Sequence, residues 1–237
     1  MDRSNNPFAA HGINYLSPSS INTYINDMPM WIARYLFKIK SPSGASAVRG
    51  IAQQFALADK YEKGTFDFNL LDVKFMSLCS ESGIDLGDIK TAKEKKLLKD
   101  FGTIIDENFN YKNLVSYQEK VEVPIEDMPV PIMGYIDFRF NDAKPTEAQK
   151  RQMAFYSMAY PKNSVDLFFA SPREHKKFTL KNLSAYKKQL VKVALSIQKF
   201  LSISDDKHEL ASFVYPNLDS WMWSGIREEA KKIWSNK

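Results

Sequence analysis

The periodicity of the apolar residues switches from helical to alternating and back, and that switch limits what the chain can fold into. Val48, Ile51, Ala52, Phe55 and Ala58 recur at helical spacing over residues 46–62. Lys90 to Asn108 reads as a long charged helix, with Leu97, Leu98, Phe101, Ile104 and Ile105 facing inward. Then Val115-Ser-Tyr-Gln-Glu-Lys-Val-Glu-Val123 alternates apolar and polar residues, as a half-buried strand does. Glu126-Asp127-Met-Pro is a turn, and Val130 to Phe140 is a second strand, so residues 115–140 are expected to form an antiparallel hairpin. Helical spacing returns over 146–160, Val165 to Ala170 is a short strand, and Asn182 to Ser202 is a long helix. Helices, hairpin, helix, strand and helix in that order predict an α/β (α+β) protein built around a small mixed sheet.

The ends are helical too. Ser17-Pro18 reads as an N-cap followed by proline at the first helical position, with Ile21, Tyr24 and Ile25 as the apolar stripe. Pro29 is expected to interrupt that helix, and Trp31 to Lys40 to continue as a second one. Residues 64–74 are ambiguous. The tail from Asn217 is expected to end in a short basic helix closing on Trp234. The expected organisation is a single domain over 1–237, with an N-terminal helical segment at 1–45 and a tail at 203–237.

Composition excludes several functions. Hydrophobic residues make up 44% and aromatics 13%, enough for a real core. A net charge of +5 permits a phosphate-backbone partner without demanding one. The single cysteine, Cys79, rules out a disulfide framework or an all-cysteine metal site within the chain and is expected to be a buried, inert thiol. The three histidines, His11, His175 and His208, lack ligand spacing for zinc. No Gly-rich phosphate loop and no Gly-x-Ser-x-Gly elbow occurs. No apolar run approaches the roughly 18 residues of a membrane span, and the first residues lack the apolar core of a signal peptide, so a cytoplasmic setting is expected.

Two short motifs carry chemistry. Pro131-Ile-Met-Gly134-Tyr-Ile-Asp137 is an apolar strand ending on a carboxylate after a glycine. A carboxylate at a strand end can hold Mg²⁺ against a phosphate, and a glycine lets backbone or substrate approach. The plain alternative is a surface aspartate at a strand edge. Arg151-Gln152-Met-Ala-Phe-Tyr156 places Gln152 and Tyr156 four residues apart on one helix face, an arrangement that usually reflects only solvation and packing. A basic run, Arg173, Lys176, Lys177, Lys181, Lys187, Lys188 and Lys192, surrounds the last long helix. Such a run is most often a solvated face, but it can also touch phosphates.

Taken in order, Leu16-Ser-Pro-Ser-Ser-Ile21, Tyr24, Pro29-Met-Trp31, Arg34-Tyr35, Arg49-Gly50 leading to Gln54, Gly134 to Asp137, Gln152 to Tyr156, and the closing Trp221-Met-Trp223 and Ile233-Trp234 resemble the RecB-like PD-(D/E)XK exonucleases, a group that includes phage recombination exonucleases. The resemblance spans most of the chain. It implies a restriction-endonuclease-like core and Mg²⁺, with Mn²⁺ as a substitute, acting on the ends of single- or double-stranded DNA. It also implies work in phage-type recombination or DNA processing in a host cytoplasm, alongside a recombination partner protein. The residues it implies are Asp137 as metal ligand, Gln54 and Gln152 beside it, and Tyr156 supporting the helix. These are expected to converge on one cleft.

The chain departs from the family pattern twice. Gln54 stands where the family has His or Glu, and an amide, natural or introduced, supplies no negative charge to a metal. The strand carrying Asp/Glu-x-Lys is also out of place. Asp142-Ala-Lys144 matches its letters but lies five residues past Asp137, with Pro145 next. A returning strand needs about four residues out, a turn of two or more and four back. Two readings stand: Asp142 and Lys144 form a strained site, or they flank a stretch between Asn141 and Lys144 where the catalytic strand is missing and the chain is broken. We prefer the second. Two further functions compete with the nuclease: a nuclease fold that has lost its chemistry and binds DNA or protein, and an unrelated α/β domain.

Overall fold

A computed structural model of the chain describes residues 6–108, 119–136, 147–160, 166–170, 175–179 and 182–235. Ten α-helices and four strands follow in order among these residues. The first three helices are α1 (Pro7–Ala10), α2 (Pro18–Asn26) and α3 (Met28–Trp31), the last running into a π-helical turn at Ile32–Leu36. Next come α4 (Ala45–Lys63), α5 (Phe68–Glu81) and α6 (Ile89–Asn108). The hairpin of β1 (Glu119–Val123) and β2 (Ile132–Ile136) precedes α7 (Glu147–Ala159). After β3 (Asp166–Ala170) and β4 (His175–Thr179) come α8 (Leu183–Leu201), α9 (Lys207–Ser212) and α10 (Arg227–Trp234).

The expected hairpin is present. β1 and β2 pair antiparallel from Glu119 opposite Ile136 to Val123 opposite Ile132. The expectation of one mixed sheet needs correction. The described strands form two antiparallel ribbons, β1–β2 and β3–β4. The parallel component is a bridge between Leu16 and Ile132, on the side of β2 away from β1. Leu16 N–H donates to Pro131 O at 3.0 Å, and Met133 N–H donates to Leu16 O at 2.8 Å. The segment before α2 therefore takes the place of a third strand beside β2. The molecule is helix-rich α+β with small antiparallel sheets.

Buried apolar side chains fall into two clusters with no shared member. The larger gathers Leu16, Ile21, Trp31, Ile132, Phe155, Ala194, Trp223 and Trp234, so it joins the N-terminal segment, the β1–β2 hairpin, α7, α8 and the tail. The smaller holds Val48, Ala52, Ala56, Leu57, Phe66, Leu71, Phe75, Cys79 and Leu98, the meeting faces of α4, α5 and α6. The ambiguous residues 64–74 contribute Asp67, which caps α5 by accepting the N–H groups of Asn69 and Leu70.

Two local expectations shift. The break expected at Pro29 falls at Asp27, between α2 and α3, and Pro29 itself sits in the first turn of α3, where its missing N–H costs nothing. The helix expected over Trp31 to Lys40 closes at Leu36 through the π turn, and Lys38 then takes a left-handed conformation at φ 59°. In α4, Ile51 and Phe55 point outward, while Val48, Ala52, Gln53, Ala56 and Leu57 face the core. The two alanines leave room for α5 and α6 to pack against α4. Lys74 Nζ covers the exposed Phe55 ring at 4.7 Å.

Candidate functional site

The site is built around Gly134 in β2. A β-carbon added there would lie 2.9 Å from Phe155 Cε1 and 3.5 Å from Pro18 Cδ. Glycine at this position lets the Phe155 ring of α7 and the Pro18 ring of α2 close directly onto the strand. The serine-proline motif, the glycine strand and the Gln-x-x-x-Tyr helix are thus brought together, although more than a hundred residues separate the first from the second.

Polar contacts fix the same junction. Gln152 Nε2 donates to the Tyr156 hydroxyl at 2.9 Å. That hydroxyl in turn donates to the carbonyl of Tyr135. The chain of hydrogen bonds runs from the exposed side of α7 to the last turn of β2, whose next residue in sequence is Asp137. Gln152 keeps its carbonyl oxygen and one amide N–H for other partners.

Arg151 provides a second tie that the sequence motif did not reveal. Its side chain is 4% exposed, and its Nε donates to Asn22 Oδ1 at 2.5 Å. Asn22 Nδ2 donates to the Ala148 carbonyl at 3.4 Å, so α2 is fastened to α7 in both directions. Burial pushes the Arg151 guanidinium pKa down, and nearby Glu147 and Tyr186 oppose that shift. Glu147 is held below the usual carboxylate range chiefly by its hydrogen bond from Lys150, and the Tyr186 hydroxyl of α8 donates to its other oxygen at 3.1 Å. Asn22 carries no sequence signal, because an asparagine on an exposed helix face reads as solvation.

Gln54 is placed differently from Gln152 and Tyr156. It lies half-buried on α4, which packs against α5 and α6, whereas α7 packs against α8, α2 and β1. Among the described residues Gln54 makes no hydrogen bond to Gln152 or Tyr156. Its neighbour Gln53 turns inward instead, and the Gln53 amide nitrogen is buried with no hydrogen-bond partner among the described residues. Arg49, which leads the glycine of that motif, pairs with Glu94 of α6 at 2.7 Å.

Asp137, Asp142 and Lys144 lie outside the described residues, as does the expected break between Asn141 and Lys144. Among the described residues no three His, Cys, Asp or Glu side chains gather as a metal site. The β2–α7 junction supplies amide and hydroxyl groups; the anionic ligand that Mg²⁺ requires would have to come from the stretch beginning at Asp137. Two of the three histidines sit elsewhere: His11 Nε2 meets the Ser204 carbonyl at 3.0 Å, and His208 meets the Phe37 ring edge-on. Cys79 is buried as expected, and burial pushes its thiol pKa up, away from the reactive thiolate. No described helix is long and apolar enough to cross a membrane.

No protein family, curated protein or solved structure matches this chain.

Proposed function

We propose that the protein is a metal-dependent DNA exonuclease of the RecB-like PD-(D/E)XK type, working in phage-type recombination or DNA processing. One observation carries the reading. Three of the motifs on which the resemblance rests meet at one place, with Pro18 and Phe155 closed onto Gly134 and Tyr156 bonded to the Tyr135 carbonyl. The proposed core is restriction-endonuclease-like, with β2 as its glycine strand and α7 as its Gln-x-x-x-Tyr helix.

In this reading Asp137 would hold Mg²⁺, which when bound would supply a Lewis acid and an acidified water. Gln152 offers its free amide groups to the phosphate or to the lysine of the site. Tyr156 sets the height of α7 over the end of β2 and so fixes where the Gln152 amide sits. Arg151 and Asn22 hold the same helix from behind. Gln54 is the weak member, because it is neutral and its helix packs elsewhere. That observation favours the second reading, a nuclease fold kept for DNA or protein binding.

The test is digestion of end-labelled linear duplex and single strands with Mg²⁺ or Mn²⁺, for the parent and for Asp137→Asn. The amide keeps the shape of the side chain and removes the charge that holds the metal. Parent cleavage that falls to background in Asp137→Asn, with DNA affinity retained, supports the exonuclease. Binding without cleavage in the parent supports the binding module. Full activity in Asp137→Asn removes Asp137 from the site.

A further inference from the structure

Helix α8 is amphipathic, but its outer face carries one sign of charge. Its sequence holds four lysines and no carboxylate. Leu190, Ala194, Ile197, Phe200 and Leu201 face the core. On the opposite side Lys188, Lys192, Leu195 and Lys199 follow the i, i+4, i+7, i+11 stripe of a helix. Lys188, Lys192 and Lys199 are exposed, and none of them forms an ion pair among the described residues. With Lys187, Val191 and Ser196 they line an open surface region of about 640 Å³. A merely solvated helix face normally mixes signs, because Glu–Lys pairs at i, i+4 stabilise it and like charges at that spacing repel.

We propose that this face of α8 is a track for the DNA backbone, with Lys188, Lys192 and Lys199 on spaced phosphates of one strand and Val191 and Leu195 against the sugars between them. The proposal rests on the DNA reading above and adds where the strand lies. Spacing and charge support it. At 1.5 Å per residue the lysines stand about 6 Å and about 10 Å apart along the helix, close to the axial rise of two and three nucleotides of one duplex strand at about 3.4 Å each. The region also begins near the candidate site, because Lys187 Nζ donates to the Ser157 carbonyl at 3.3 Å, one residue past Tyr156.

The experiment measures affinity for fluorescent duplex and single strands in Ca²⁺ or EDTA across a salt series. It compares the parent, Lys188→Gln/Lys192→Gln/Lys199→Gln, and the corresponding triple arginine variant. Each lost phosphate contact should lower the slope of log affinity against log salt by about 0.7–0.9. The glutamine triple is expected to lose about two to three units of slope and at least about tenfold in affinity at low salt, and the arginine triple to keep both. Circular dichroism checks that the fold is intact in each. An unchanged slope in the glutamine triple overturns the track, even if the parent cleaves DNA. So does binding of an acidic peptide that depends on the lysines while DNA binding does not. If the parent never cleaves but its salt-dependent DNA binding disappears in the glutamine triple, the nuclease reading fails and the track stands.

Discussion

A methyl group at position 134 would meet the Phe155 ring at 2.9 Å, and that ring is fully buried. It cannot swing into solvent, so either the strand or α7 must shift. Overpacking of this kind costs about 1–3 kcal/mol. Gly134→Ala should therefore lower the thermal midpoint by several degrees, at about 2–4 °C per kcal/mol for a chain of this length. Phe155→Leu removes the clashing edge, so the double variant should be less damaged than the sum of the singles. Additive losses in calorimetry would place the strain somewhere other than the Phe155 contact. The sequence marked Gly134 as a point of close approach but could not name the approaching group. A strand pattern shows which side a residue faces, not which ring from a helix 21 residues later lands on it.

At the scale of elements, local rules carried over well wherever the deciding contacts are local. Ser17 accepts the Ser20 N–H at 3.0 Å, and Ser20 Oγ accepts the Ser17 N–H at 3.2 Å, which closes a capping box ahead of Pro18. Ser17→Ala removes one arm, and we expect it to cost about 1 kcal/mol in urea unfolding. Ser17→Asp should recover most of that, because a carboxylate caps as well and favours the positive end of the helix. Equal loss in both variants would mean that Ser17 acts through some contact other than the cap. The extent of α7 and the β1–β2 pairing were legible for the same reason: helical spacing and alternation are written in neighbouring residues. The π turn at Ile32–Leu36 was not, because it adjusts Ala33, Leu36 and Ile39 to a core assembled from distant segments. The face of α4 was misread for a related reason. Ile51 and Phe55 are larger than Ala52 and Ala56, yet close helix packing selects the small pair for the interior.

Across the whole molecule, the two clusters of buried residues set up a division that no period in the sequence announces, because periodicity gives faces and not partners. The β2–α7 junction sits in the larger cluster and Gln54 on the helix that anchors the smaller, which is why order along the chain could not decide whether they meet. The division can be measured directly. Of the four tryptophans, Trp31, Trp223 and Trp234 belong to the larger cluster and Trp221 is exposed in the tail; the smaller cluster has none. Tryptophan emission therefore reports on the larger cluster, while ellipticity at 222 nm also counts α4, α5 and α6. Phe75 is fully buried among those three helices, and Phe75→Ala should cost the smaller cluster about 3–5 kcal/mol. If the clusters open separately, this variant loses part of its ellipticity at a lower temperature while its tryptophan transition stays near that of the parent, a breakdown of two-state behaviour. Coincident transitions, both displaced downward, would instead show that the clusters unfold as one unit, and that substitutions around α4 can reach the β2–α7 junction through stability alone.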